Sequence, residues 1–403
     1  MSLPEIQVFA SLQRVSPDNF ILNDAVDGVL DTSKLSGFIV VDELIDVPIL
    51  SLSINRGRSR QLERFNSGTA TIVFDNRERK LDPLNDSSLF NSLVVPRVVL
   101  KVVANNETIY VGFVTDWDVS YDSLGNDQAI ANLSDAFSLL SGLTFDADLT
   151  PSVEFPGERL QFVLDELGYL GDTDFDLGSS SLGAFQIDQG VAALDYLFQV
   201  QSSDLGFIFI SKDGVVTYIN RFGRLVSDSV NFRDDGTGMP YQSLNSEYSD
   251  DNLFNQIILT SPAGNVVKEN SSSIADFGLS GFKNDDLLNF SIFDLGDVAD
   301  RYLTRFSTPV VRFTGVTTQL AGLSDNQVDQ LLRLDLTSEV VLTKTFGVGS
   351  PASVSQNLVV SGLNHQIVPG SHVVRFVFED SPFGDFFRLD NVQFGILDTS
   401  ILG

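Results

Sequence analysis

The chain has 403 residues, 43% of them hydrophobic, more than one ordinary core organises, so two or three domains are expected. A formal charge of -29, from 54 acidic against 25 basic residues, excludes stable wrapping of nucleic acid, because phosphate binding needs a basic footprint. The absence of cysteine excludes disulfides, thiolate metal sites and a Cys nucleophile, and suits a reducing compartment.

The start of the chain, Met1 to Glu5, lacks a basic region followed by an apolar run. Nowhere does an apolar stretch approach the roughly 20 residues that cross a bilayer, so a soluble protein without a membrane anchor is expected. Residues Phe20 to Leu35 align without gaps on Phe387 to Leu402, with Leu30-Asp31-Thr32-Ser33 matching Leu397-Asp398-Thr399-Ser400. Two copies are too few for a solenoid. The repeat reads either as two docking arms carried by Phe20, Leu30 and Asp31 and by Phe387, Leu397 and Asp398, or as a duplication with no contact role.

Between the two copies, most of the chain reads as strand. Ala70, Ile72 and Phe74 alternate with Thr69, Thr71 and Val73, and Arg97 to Val103 is a second β-branched run. Leu160, Val163, Leu164 and Leu167 fall at helical spacing between Pro156-Gly157 and Gly168, and Val191, Leu194, Leu197 and Phe198 mark a second helix. Phe207 to Ile210 and Val215 to Ile219 flank Lys212-Asp213-Gly214, where Asp-Gly supplies the positive φ angles of a tight hairpin. A third helix is predicted from an N-cap at Asp297, presenting Val298, Tyr302, Leu303 and Phe306 before Pro309. Helix, helix and hairpin between about 150 and 225 form a small α+β module in a β-rich frame. The 32 Phe residues require cover from core or from neighbouring subunits.

Chemistry-bearing patterns are thin. His365 and His372, the only histidines, lie seven apart across Pro369-Gly370 without a carboxylate at ligand spacing, and read as turn residues rather than a metal site. Asp172-Thr173-Asp174-Phe175-Asp176-Leu177-Gly178 matches a calcium loop only in part, its glycine one place late, and reads as a solvated acidic loop. Nucleophile elbow, Walker loop, dinucleotide fingerprint and His-Glu-x-x-His are all missing, so no catalytic residue, cofactor or metal is assigned and no enzyme is expected.

The segment Asn55 to Arg77, with Leu81-Asp82-Pro83-Leu84-Asn85 after it, resembles a signature of siphophage minor tail and hub proteins. Ser134 to Leu140, Ala193 to Leu197 with Gly206 and Asp213-Gly214, and Leu363 to Gly370 extend the resemblance over most of the chain. It implies a baseplate-hub architecture: two tail-tube-like β-barrel domains (38-150 and 226-385), the inserted α+β module (151-225), and arms at 1-37 and 386-403. Such hubs are typically trimers that continue a six-fold tube. The resemblance therefore implies a homo-oligomer, trimer favoured and hexamer possible, in the virion at the tail tip and assembled in the host cytoplasm. Its partners would be tail tube, distal tail ring and fibre or tip proteins, with DNA only in transit. No fibre-like, peptidase or lysozyme-like extension follows Gly403, which sets receptor binding and wall cleavage apart from this expectation. A hexameric distal tail protein and a carbohydrate-binding adhesion module are the competing readings, the latter disfavoured by a single Trp and few Tyr. The negative charge suits either a lumen wall that DNA slides past or simple solubility.

Within the signature, Gly57 and Gly68 are expected to permit sharp turns and Pro83 to end strand pairing. Seven basic residues lie within 25 positions: Arg56, Arg58, Arg60, Arg64, Arg77, Arg79 and Lys80. They pair either with acidic surface of a neighbouring subunit or with carboxylates of the same chain. Asp75, Asn76 and Asp82 complete the candidate set.

Overall fold

In the computed structural model, residues 3–15, 38–223 and 229–381 are described. Both copies of the repeat, with Phe20, Leu30, Asp31, Phe387, Leu397 and Asp398, lie outside them.

The N-terminal part supplies seven antiparallel strands: β1 (Ile6–Val15), β2 (Phe38–Leu44), β3 (Ile49–Gly57), β4 (Asn66–Asp75), β5 (Val99–Ala104), β6 (Glu107–Ser120) and β7 (Gln128–Ser134). They run in the order β3-β4-β7-β6-β5-β1-β2, and a short helix, α1 (Ala136–Leu140), comes after them. Period-two patterning explains the inward face: Ala70, Ile72 and Phe74 of β4 are buried while Thr69 and Thr71 point outward. β1 falls in the span expected to be an arm. It is instead paired on both sides, with β5 and β2, and its Val8 and Ala10 are buried, so the arm reading of residues 6–15 is corrected.

Next comes the module: α2 (Pro156–Glu166), β8 (Thr173–Phe175), α3 (Ala193–Asp204), β9 (Phe207–Ile210) and β10 (Val216–Ile219), with β8 parallel and β9 antiparallel to β10. Both helices and the hairpin lie where the apolar spacing puts them. The hairpin turn differs in detail: only Gly214 has a positive φ (84°), and the turn closes through Gly214 N–H to Ser211 O at 3.0 Å. The supposed acidic loop is β8 itself, paired in a ladder, with Gly178 against the ring of Pro156.

The C-terminal part contains β11 (Val230–Arg233), β12 (Ser243–Glu247), β13 (Gln256–Ser261), β14 (Gly264–Glu269), α4 (Ser271–Phe277), β15 (Gly281–Asn284), α5 (Ile292–Phe306), β16 (Arg312–Gln319), α6 (Asp325–Arg333), β17 (Glu339–Thr345), β18 (Ser353–Val368) and β19 (Ser371–Asp380). β14-β13-β15 form a separate sheet covered by α5, with its own core of Ile257, Leu259, Leu295, Val298, Tyr302 and Phe306. This second α+β unit lies inside 226-385, a span expected to be barrel alone. α5 begins earlier than predicted, with its N-cap at Ser291, whose side chain accepts from Phe293 N–H, because Ser291 satisfies an orphan donor six residues before Asp297. α6 carries a capping box between Ser324 and Gln327, a signal already present in the order Ser324-Asp325-Asn326-Gln327.

The remaining strands form a second half-sheet, β12-β16-β19-β18, with β17 on the first part of β18 and β11 parallel to β17. The last part of β18 pairs with β3, fusing both halves into one sheet of 13 strands. Among the described residues this sheet is an open path and closes into no barrel; the coarse expectation of a mainly β chain with inserted α+β structure stands. No helix among the described residues is long and apolar enough to cross a membrane.

Candidate functional site

The signature segment sits where the two half-sheets meet. Gly57 ends β3 opposite Gly362 of β18 with φ at +99°, a region L side chains rarely adopt, and a Cβ there would lie 2.3 Å from Ser361 O. Arg58 N–H then donates to Ser361 O at 2.8 Å, so the backbones touch with no room for a side chain. Gly68 does not turn the chain. It lies within β4, where Asp135 crowds it: the carboxylate accepts from Gly68 N–H at 2.6 Å, and a Cβ would lie 2.7 Å from that oxygen. Pro83 is likewise not a strand terminator, since β4 ends at Asp75; it occupies an exposed turn closed by Asn85 N–H to Asp82 O at 3.0 Å.

Flanking Gly57, the guanidiniums of Arg56 and Arg58 are both buried and join different parts of the molecule. Arg56 donates to Ile210 O of β9 at 2.7 Å and pairs with Asp335, beyond α6, at 2.8 Å. Asp335 also accepts from Lys212 N–H at 2.7 Å, tying the module hairpin to the same carboxylate. Arg58 forks onto both oxygens of Glu379 on β19, at 2.6 and 2.8 Å, with side-chain exposures of 6% and 2%. Its guanidinium carbon lies 4.6 Å from the Phe65 ring centroid and 5.2 Å from that of Phe207, so charge and aromatic cover coincide.

The rest of the basic segment faces water. Arg64 pairs with exposed Asp195 at 2.9 Å, Arg77 with Asp75, Arg79 with Asp82 at 2.6 Å and Lys80 with Glu78 at 3.1 Å; Arg60 is exposed. Six of the seven basic residues thus have a carboxylate on their own chain, and the two buried ones are inaccessible to a neighbour. Asn76 staples the loop after β4, accepting from Leu81 N–H at 2.9 Å and donating to Leu81 O at 3.2 Å. Asp82, fully buried, takes hydrogen bonds from Leu84 N–H, Arg79 and Tyr121. Burial works to raise its pKa, but these donors outweigh it and hold the carboxyl below the usual range.

Several residues of this joint were illegible in sequence. Asp135 accepts from Ser67, Gly68 N–H and Phe137 N–H, yet burial pushes it up to about 6. Strand parity places Glu379 outward, but β18 is covered on both faces from Leu358 to Leu363, and its partner strand buries Glu379 too. The histidines are not turn residues. His365 and His372 are buried within β18 and β19, Nδ1 to Nε2 at 3.0 Å. Burial drives His365 well down, helped by His372, Arg56 and Lys212, and lowers His372 to about 4, so the pair is neutral. Among the described residues no group of three His, Asp or Glu side chains is placed to hold a metal ion. Chemically the site is a mechanical joint of buried charges and close backbones.

No family model matches the chain, and no curated protein does. Solved structures do. A tail protein from Neisseria meningitidis MC58 superposes with a TM-score of 0.58 at 10% identity, covering 95% of this chain and 99% of that one. The 43 kDa tail protein of prophage MuSo2 from Shewanella oneidensis gives 0.55 at 10% identity, covering 94% and 98%. Over nearly its whole length, therefore, this chain has the fold of phage tail proteins.

Proposed function

We propose that the chain is a structural protein of a phage tail that forms a ring at the tail tip, as a baseplate hub. The observation that carries this reading is the shared fold with two tail proteins over almost the full length of all three chains. The two fused half-sheets would act as the tube-like domains of the wall, as barrels or as open sheets completed by a neighbour, since among the described residues β2 and β12 each pair on one side only. A ring of this kind works by assembly rather than by chemistry. Its charge of -29 would let DNA pass without adhering, and the terminal repeats would dock on neighbouring surfaces.

Electron microscopy of isolated tails carrying labelled protein tests the position. Label confined to the tip supports the hub; label along the whole tail or in the capsid overturns it. Native mass spectrometry separates the favoured trimer from the hexameric distal tail ring.

A further inference from the structure

The connection between β4 and β5, residues 76–98, is fixed by its own side chains yet holds two leucines in water. Asn85 Nδ2 donates to Arg79 O at 2.8 Å, Asn91 Nδ2 donates to Asn85 O at 3.2 Å, and Phe90 and Leu93 anchor the loop in the core. Leu84 and Leu89 are nevertheless 73% and 89% exposed. A slack loop could fold such side chains back; an ordered one that holds them out is preorganised for a partner. Around them the exposed cations Arg77, Arg79, Lys80 and Arg97 outnumber the exposed carboxylates Glu78 and Asp86, because Asp75 and Asp82 are recessed. In a chain of charge -29 this face is apolar with a basic rim.

A second apolar face has the opposite rim. Glu154, Leu182 and Asn289 form one rung of a short antiparallel ladder where the two α+β units meet, and Leu182 and Asn289 are fully buried. Side chains alternate across a ladder, so the next rung, Phe155, Ser181 and Phe290, points outward, with Phe290 N–H on Ser181 O at 2.8 Å. Two strand spacings put Phe155 and Phe290 about 10 Å apart. Phe290 is 57% and Phe293 82% exposed, and Leu177, whose carbonyl accepts from Gly157 N–H, is half-exposed beside Phe155. Carboxylates border these rings. Glu158 accepts from Phe155 N–H and Asp294 from Ser181 N–H, both at 3.0 Å, and Asp297 lies one helical turn beyond Phe293.

We propose that the 76–98 loop of one copy docks on the Phe155–Phe290–Phe293 face of the next copy, Leu84 and Leu89 against the rings and the basic rim against the acidic one. One chain cannot make this contact with itself. The loop leaves the far end of β4, whereas the module packs on its start, where Phe65 lies 6.1 and 5.7 Å from Phe207 and Phe209, and ten strand residues span roughly 30 Å. Copies of so acidic a chain repel over most of their surface, so contact is favoured where the rims differ in sign. A contact between two different faces is head-to-tail, the kind that generates rings. The proposal rests on the ring reading and assigns its subunit interface.

Native mass spectrometry of full chains tests it. Leu84→Asp with Leu89→Asp spoils only the loop and Phe293→Asp only the receiving face; each is expected to weaken association about tenfold or more, because apolar area stays in water, and to give monomers. Mixing the two variants should give a one-to-one dimer and no ring, since one intact loop and one intact face remain. A ring that keeps its wild-type mass in either variant overturns the docking and leaves the ring reading standing; a wild type that stays monomeric overturns both. Because the natural chain has no cysteine, Leu89→Cys with Phe293→Cys gives a readout that survives misfolding of the aspartate variants. Disulfides linking copies only when both cysteines are present support the docking; none, or equal linking by Leu89→Cys alone, overturns it.

Discussion

Arg58 and Arg64 lie six positions apart in one basic segment, each with a carboxylate partner and an aromatic ring, yet they belong to different physical regimes. Arg58 and Glu379 are sealed between the half-sheets, whereas Arg64 and Asp195 are 56% and 70% exposed. Water screens the second pair and leaves it little net energy. For the first, desolvation makes each charge dependent on the other, so it specifies a geometry more than it adds stability. The lesson is that the count of arginines carries no information about function until burial is known.

The strongest way to break this contrast is Glu379→Ala, which strands the Arg58 charge and is expected to cost about 3–5 kcal/mol in denaturant midpoints. Adding Arg58→Met should return part of that loss. A cost near that of Arg64→Ala for the single variant would mean that the buried pair does not hold the joint.

Acid should sharpen it next. Above pH 6.5 the His372 imidazole is neutral folded or unfolded; below it the unfolded chain takes a proton that the folded site refuses down to about 4. Stability therefore falls across that window, by on the order of 3 kcal/mol for a shift of this size. Asp135 acts in the opposite sense. Raised to about 6, it is protonated in the folded state before the unfolded one, and adds stability as pH drops from about 6 toward 4. Thermal melts between pH 7 and 4 should show a shallower decline in His372→Gln and a steeper one in Asp135→Asn. Profiles that bend the same way would show that burial does not set these titrations.

Gly57→Ala tests the backbone side of the joint. The left-handed φ and the nearby Ser361 carbonyl predict a loss of about 1–3 kcal/mol by calorimetry, whereas Ala at Gly236, which has open space around it, should cost less. The smallest effect belongs to Arg64→Ala, within about 0.5 kcal/mol and diminished further by salt.

Local signals were legible because they involve neighbours in sequence. The stripe of Leu160, Val163 and Leu164, the β-branched alternation of β4 and the glycine at position 214 each set one element through spacing or backbone freedom alone. The signature itself was visible as a dense run of Arg and Gly. Its role was not, because Arg56 meets Asp335 and Arg58 meets Glu379 across nearly the whole chain, and pairing at such separation depends on which strands become neighbours. The same holds for Gly68, whose lack of a side chain is explained by Asp135 and not by any turn, and for the second α+β unit, whose core is assembled from β13 and α5. Periodicity and turn chemistry act within a few residues, so the sequence by itself determined the elements and the β-rich class. Only the tertiary structure decided which half-sheets fuse and which charges lose their water, since those depend on contacts between segments hundreds of residues apart.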